Sequence, residues 1–240
     1  MVIAALLAGG SGARMGGAVP KQFLNIGGTP VLVHSLRAFV QSGLVDACVI
    51  SVPAAFLETT RDLVQKEGTE SCPVHVIEGG ATRSGTLLKI LEYLDENGLL
   101  QDSILLTHDA VRPFISGRII ADNIAAAREL GACNTCVPAT DTIFLSADGR
   151  VIDSVPERST VYHAQTPQSF AGDALYALCR EIPPAEFDRM TDGCSVYAYF
   201  GRPVALVEGD RDNIKITWPE DLTRAEEILQ RRNSATDQES

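Results

Sequence analysis

From Val2 to Leu130 the chain switches four times between a short apolar run and a stretch with helical spacing. The apolar runs cover 2–7, 45–52, 74–77 and 103–106, and the helical stretches cover 30–42, 56–66, 82–94 and 119–130. Glycines close the helical stretches at Gly43, Gly68, Gly98 and Gly131, where a left-handed C-cap is wanted. Alternation with short connections predicts parallel strands joined by crossover helices. The expected fold is α/β, a three-layer sandwich with a mostly parallel, twisted sheet. In such sheets a ligand lies beyond the carboxyl ends of the strands. The loops at those ends are 8–10, 79–83 and 107–112, so all three are expected on one edge.

From Cys133 the rhythm changes. Residues 137–145, the turn Ala147-Asp148-Gly149 and residues 151–155 read as a β-hairpin that projects as an arm, spanning about 137–160. Helices are expected at 174–181, 191–200 and 219–230, a strand at 203–207, and a short extended segment at 213–217. The polar stretch 233–240 reads as a disordered tail after a single domain over 1–232.

The first strand-end loop carries the clearest chemical signal. Val2–Leu7 runs into Ala8, Gly9 and Gly10, and Arg14 and Lys21 follow, the latter between Pro20 and Gln22. Glycines let backbone N–H groups approach an anion, and the two cations neutralise it. The plain alternative is a strand followed by a Gly-rich turn. The chain has 31 acidic and 20 basic residues, a net charge of −11, which disfavours sequence-independent nucleic-acid binding but permits a local basic pocket. The apolar start has no basic leader and no apolar stretch is long enough to span a bilayer, so a cytoplasmic protein is expected. Six scattered cysteines read as reduced thiols, and the lone Cys133-x-x-Cys136 lacks the second pair a zinc site needs.

Three polar sets fall in the expected ligand-facing loops: Gly9, Gly10, Arg14 and Lys21; Gly79, Gly80, Arg83 and Thr86; Asp109 and Arg112. Arg158, Thr166, Gln168, Thr191, Asp192 and Lys215 complete the candidates. Cations converging on glycine loops suit phosphoryl or nucleotidyl transfer, which needs positive charge and N–H dipoles more than covalent help. Each residue also has a structural reading: Asp109 with Arg112 as a loop-stabilising pair, Lys215 on a solvated face, His108 as a packing or capping residue. Other chemistries lack their anchors. There is no G-x-S-x-G elbow and no G-x-x-x-x-G-K-[ST] loop, and Arg14 stands inside the turn where a dinucleotide's pyrophosphate would press.

LAGGSGARMG, PKQF, GGATR, THDAVRPF, AQTPQSF, the TD at 191 and NIKIT before PEDL occur in this order along nearly the whole chain. Together they resemble the CTP-dependent sugar-alcohol-phosphate cytidylyltransferases. The resemblance implies a Rossmann-like nucleotidyltransferase fold and a reaction of CTP with a polyol phosphate, giving a CDP-polyol and pyrophosphate, with a divalent cation such as Mg²⁺. It implies catalytic roles for Arg14, Lys21 and Lys215. It implies nucleotide contacts at Ala8, Gly9, Gly10, Gly80, Arg83, Thr86 and Asp109. Arg112, Thr142, Arg158, Thr166 and Thr191 would hold the acceptor. No metal ligand follows from it, although Asp109 is a candidate. It also implies a homodimer through the arm, with Thr142 and Arg158 acting on the partner's site.

LAGG, THDAVRPF and Tyr162 before AQTPQSF are more similar to the ribitol-5-phosphate enzymes, whereas VPATDT, HAQTPQ and PEDLTRAE are more similar to the 2-C-methyl-D-erythritol 4-phosphate enzymes of non-mevalonate isoprenoid synthesis. On that balance D-ribitol 5-phosphate is the expected acceptor and 2-C-methyl-D-erythritol 4-phosphate the alternative. A non-catalytic nucleotide-sensing module would share the fold; Arg14, Lys21, Asp109 and Lys215 together speak for turnover.

Overall fold

A computed structural model describes residues 1–10, 19–69 and 71–239, with side chains to Ser234. Arg14 and the rest of its loop lie outside the described residues. The first half contains β1 (Val2–Leu7), β2 (Asn25–Ile26), β3 (Thr29–Pro30), α1 (Val31–Ser42), β4 (Ala47–Val52), α2 (Leu57–Lys66), β5 (Val74–Glu78), α3 (Arg83–Glu96), β6 (Ile104–Asp109) and α4 (Gly117–Leu130). The second half contains β7 (Ala132–Pro138), β8 (Tyr162–Ala171), α5 (Gly172–Glu181), α6 (Pro184–Phe187), α7 (Gly193–Tyr199), β9 (Ala205–Glu208) and α8 (Pro219–Glu239).

Seven strands form one sheet in the order β5-β4-β1-β6-β8-β7-β9. Every neighbouring pair is parallel except the two made by β8, which runs against both β6 and β7. β1 sits centrally and is apolar on both faces, as a strand covered on both sides must be. Val2, Ala4 and Leu6 pack with α1 and α4 on one side. Ile3 and Ala5 pack with α3, α5 and α7 on the other. This is the three-layer α/β sandwich expected from the alternation. The register places Leu7 beside Ser51 and Asp109, so the ends of β1, β4 and β6 lie on one edge. Glu78 of β5 joins them through its pairing with Val52.

β8 shows no hydrophobic alternation in the sequence because its buried half is polar. Gln165, Thr166, Gln168 and Ser169 are all buried. They are tolerated there because they are bonded: Ser169 Oγ donates to Asn123 Oδ1 at 3.1 Å, and Gln168 Nε2 to Asn134 Oδ1 at 3.0 Å. A second difference concerns the arm. It is the connection between β7 and β8, paired from Pro138 and Tyr162 downward. In place of the expected hairpin strands, the described arm has one bridge, Leu145 with Ser154. Phe144, Leu145, Val151, Ile152 and Val155 are exposed, so no core holds a longer ribbon together. The segment 213–217 is not a strand. The last helix continues through the stretch expected as a disordered tail, to Glu239, since no Gly or Pro interrupts it after Pro219. No helix among the described residues is long and apolar enough to cross a membrane.

Candidate active site

The shared strand edge opens into a cavity of about 450 Å³, lined among others by Ala8, Gly9, Gly10, Lys21, Gln22, Gly80, Arg83, Thr86, Asp109 and Lys215. Three loops far apart in sequence thus meet, as the parallel topology requires. All of these residues except Gln22 are among those singled out from the sequence. Gln22 Nε2 donates to the carbonyls of Ala8 at 2.7 Å and Gly10 at 3.2 Å, which props the glycine turn from below. Its place beside Lys21 in PKQF was visible, but an amide's backbone partners are not a sequence signal.

Gly80 is required by close packing rather than by its dihedrals. A Cβ there would stand 2.6 Å from Thr86 N and press on the Gly85 backbone. Thr86 Oγ1 accepts the Gly80 N–H at 3.0 Å and donates to the Thr82 carbonyl at 2.9 Å. Thr82 caps α3 through the Gly85 N–H at 3.0 Å. Gly80→Ala must separate these two backbones, and is expected to destabilise the protein by about 1–3 kcal/mol. Denaturant titration checks this.

Asp109, at the end of β6, organises the charges. It is buried and ion-paired to Arg83, to Lys215 Nζ at 2.8 Å, and to Arg112 Nε at 3.6 Å. Burial alone would raise its pKa, but Arg83 and Lys215 outweigh that and hold the carboxyl well below the usual range. Lys215 is aimed here because its neighbours face the other way: Ile214 and Ile216 pack under α8 with Ile26, Val111 and Phe114. Lys215 is therefore half-buried and tied to Asp109 rather than simply solvated. Lys21 is buried, with Nζ donating to the Ile216 carbonyl at 2.8 Å.

Arg112 does not open into the cavity. Its guanidinium donates to the carbonyls of Asn213 at 2.7 Å and Ala164 at 3.4 Å, so it clamps the 213–215 segment against β8. Thr166 is buried behind Asp109, accepting its N–H at 3.0 Å. Thr191 is exposed beside the Asp192 cap of α7, which Gln168 holds at 2.8 Å. Thr142 and Arg158 lie exposed on the arm and do not line this chain's cavity.

His108 is completely buried between Arg112 and Thr166, and desolvation pushes its pKa down to about 4. The folded state then binds fewer protons than the unfolded chain between the free-histidine value of 6.5 and about 4. Its contribution is complete above the upper limit and falls by about 3 kcal/mol as pH drops to the lower one. The Asp109 contribution is lost only at lower pH, below the free carboxylate value of 3.8. Urea unfolding at pH 7 and pH 4 should therefore show a smaller pH-dependent loss in His108→Gln than in the wild type.

Residues 2–231 match the model of the 2-C-methyl-D-erythritol 4-phosphate cytidylyltransferase family. Among solved structures, the fold is similar to 4-diphosphocytidyl-2C-methyl-D-erythritol synthase from Anaerococcus prevotii, at 28% identity and a TM-score of 0.79, over 95% of this chain and 96% of that one. It is also similar to the 2-C-methyl-D-erythritol 4-phosphate cytidylyltransferase of Thermus thermophilus, at 28% identity and a TM-score of 0.73, over 94% and 98% of the two chains. These likenesses do not support the ribitol 5-phosphate expectation; they favour its alternative.

Proposed function

The chain belongs to the 2-C-methyl-D-erythritol 4-phosphate cytidylyltransferase family, and from that membership we propose that it transfers the cytidylyl group of CTP to 2-C-methyl-D-erythritol 4-phosphate. The observation that carries the transfer chemistry is the cavity itself: glycine backbone on one wall and Lys21, Arg83 and Lys215 on the others, where the segment between β9 and α8 meets the carboxyl ends of β1, β5 and β6. An acceptor phosphate oxygen attacks the α-phosphorus of CTP, the bond to the bridging oxygen of the β-phosphate breaks, and pyrophosphate leaves. The attacking phosphate is already ionised at neutral pH, so no strong general base is needed. Charge neutralisation and in-line positioning supply the acceleration. Lys21 faces the triphosphate; Lys215 and Arg83 flank the α-phosphate; Gly80 and Thr86 shape the nucleoside side.

The described lining fits a protein-held divalent ion poorly. Asp109 is its only carboxylate, and both of its oxygens already face cations. No cluster of three metal-ligating side chains occurs among the described residues. Mg²⁺ fits this site only as a companion of the nucleotide's phosphates. The six cysteines are all free, which supports a reducing, cytoplasmic setting.

Pyrophosphate release, measured with CTP and each polyol phosphate separately, tests the reading. Turnover with 2-C-methyl-D-erythritol 4-phosphate at least a hundredfold above ribitol 5-phosphate is expected; preference for ribitol 5-phosphate, or no release with either, refutes it.

The exposed apolar residues of the arm, and the absence of Thr142 and Arg158 from this chain's cavity, support a homodimer in which the arm completes the partner's acceptor site. Mixing two inactive variants, Lys21→Ala and Arg158→Ala, should then restore activity, because the heterodimer contains one site with both residues intact. Mixtures that stay inactive would place Arg158 in cis.

A further inference from the structure

Both ring nitrogens of His108 are engaged. Nε2 lies 3.0 Å from the Arg112 carbonyl oxygen, and Nδ1 lies 3.0 Å from Thr166 Oγ1. A carbonyl only accepts, so Nε2 carries the proton and Nδ1 is left as an acceptor. The Thr166 hydroxyl therefore donates to Nδ1, while its oxygen accepts the Asp109 N–H at 3.0 Å. A hydroxyl has one proton, and this one is committed to the core. We propose that His108 is a positioning residue for the transfer reaction, and that Thr166 works with it by holding the Asp109 backbone rather than by donating to the acceptor's phosphate.

The network reaches the segments that carry Asp109, Arg112 and Lys215. Asn213 Nδ2 donates to the Thr166 carbonyl at 2.9 Å, and Arg112 Nη1 donates to the Asn213 carbonyl at 2.7 Å. Two residues beyond Asn213, Lys215 meets Asp109. The ring closes through His108, which ties the Arg112 carbonyl to Thr166. Loss of the Nδ1 acceptor strands a buried hydroxyl proton, and Thr166 must rotate away from Asp109 to satisfy it. A histidine that merely packs accounts for the edge-on contact with Phe39 at 5.1 Å, but not for this pattern of donors and acceptors.

The kinetic part of the test rests on the proposed function; the spectroscopic part does not. Imidazole ¹⁵N spectra of the whole protein should show His108 as the neutral Nε2–H tautomer throughout pH 5–8. An Nδ1–H tautomer, or a cationic ring at pH 7, overturns the proposal. Thr166→Ser should stay within about threefold of wild type, whereas Thr166→Val should lower kcat by about tenfold to a hundredfold with the acceptor KM nearly unchanged. The double variant His108→Phe/Thr166→Val should be no worse than His108→Phe alone. A Thr166→Val enzyme whose acceptor KM rises tenfold with kcat intact would mark Thr166 as a direct phosphate donor and overturn the proposal. Should His108→Phe not fold, the spectra and the Thr166 pair decide. A wild type with no cytidylyl transfer would refute the proposed function while leaving the tautomer assignment standing.

Discussion

Lys21→Ala is expected to lower kcat by about a thousandfold and leave the protein folded, since a single preorganised group acting on developing phosphate charge carries an effect of that order. The side chain is only 8% exposed, and its ammonium is aimed by the Ile216 carbonyl at 2.8 Å. It reaches the cavity already oriented, so no reorganisation is needed when pyrophosphate begins to leave. The backbone around it is held independently by Gln22, which anchors to Ala8 and Gly10. Circular dichroism should therefore be unchanged. Lys21→Arg should rescue little, because a planar fork does not fit a slot built for a compact ammonium. Single-turnover rates separate chemistry from binding, and a variant within tenfold of wild-type kcat would remove Lys21 from the proposed role.

Asp109→Asn should cost about 3 kcal/mol of stability, the order expected when one partner of a buried ion pair is removed. Here a single carboxylate faces Arg83, Arg112 and Lys215. Its neutralisation leaves those cations repelling one another across the end of β6. The deficit has a remedy that distinguishes this cause from poor packing: an added anion can take the carboxylate's place. Pyrophosphate should raise the melting temperature of Asp109→Asn by several degrees more than that of the wild type. The same variant should bind nucleotide no more weakly than wild type yet turn over at least a hundredfold more slowly, because its cations are no longer held in register. Equal stabilisation of both proteins by pyrophosphate would show that Asp109 is not their counter-charge.

Much of the sheet was legible because its first strands are buried on both faces and read as plain apolar runs. β1 and β4 are of this kind. β8 was not legible: most of its buried residues are polar, Gln165, Thr166, Gln168 and Ser169, and their burial is tolerable only through partners on β7, α4 and the 210–213 segment. The arm misled in the opposite sense, since its turn residues at 147–149 are good hairpin chemistry, yet a ribbon without a second face pairs at one bridge. The site divides similarly. Glycines and cations at strand ends announced the cavity, whereas Gln22 and His108 act through backbone carbonyls that no residue pattern encodes.

Local periodicity was enough to determine the alternation of strands and helices, and alternation was enough to bring loops 8–10, 79–83 and 107–112 to one edge, because parallel strands with crossover helices must all end on the same side. The sequence motifs further determined a family of CTP-dependent transferases. The destination of each charge was decided only when the chain closed on itself. Asp109 meets Arg83, Arg112 and Lys215 through packing of α3, β6 and the isoleucines beneath α8. Whether Arg112 or Thr166 faces substrate or core depends on hydrogen-bond geometry between segments far apart in the chain. Residue type and spacing carry no record of which partner uses a donor's last proton; tertiary packing does.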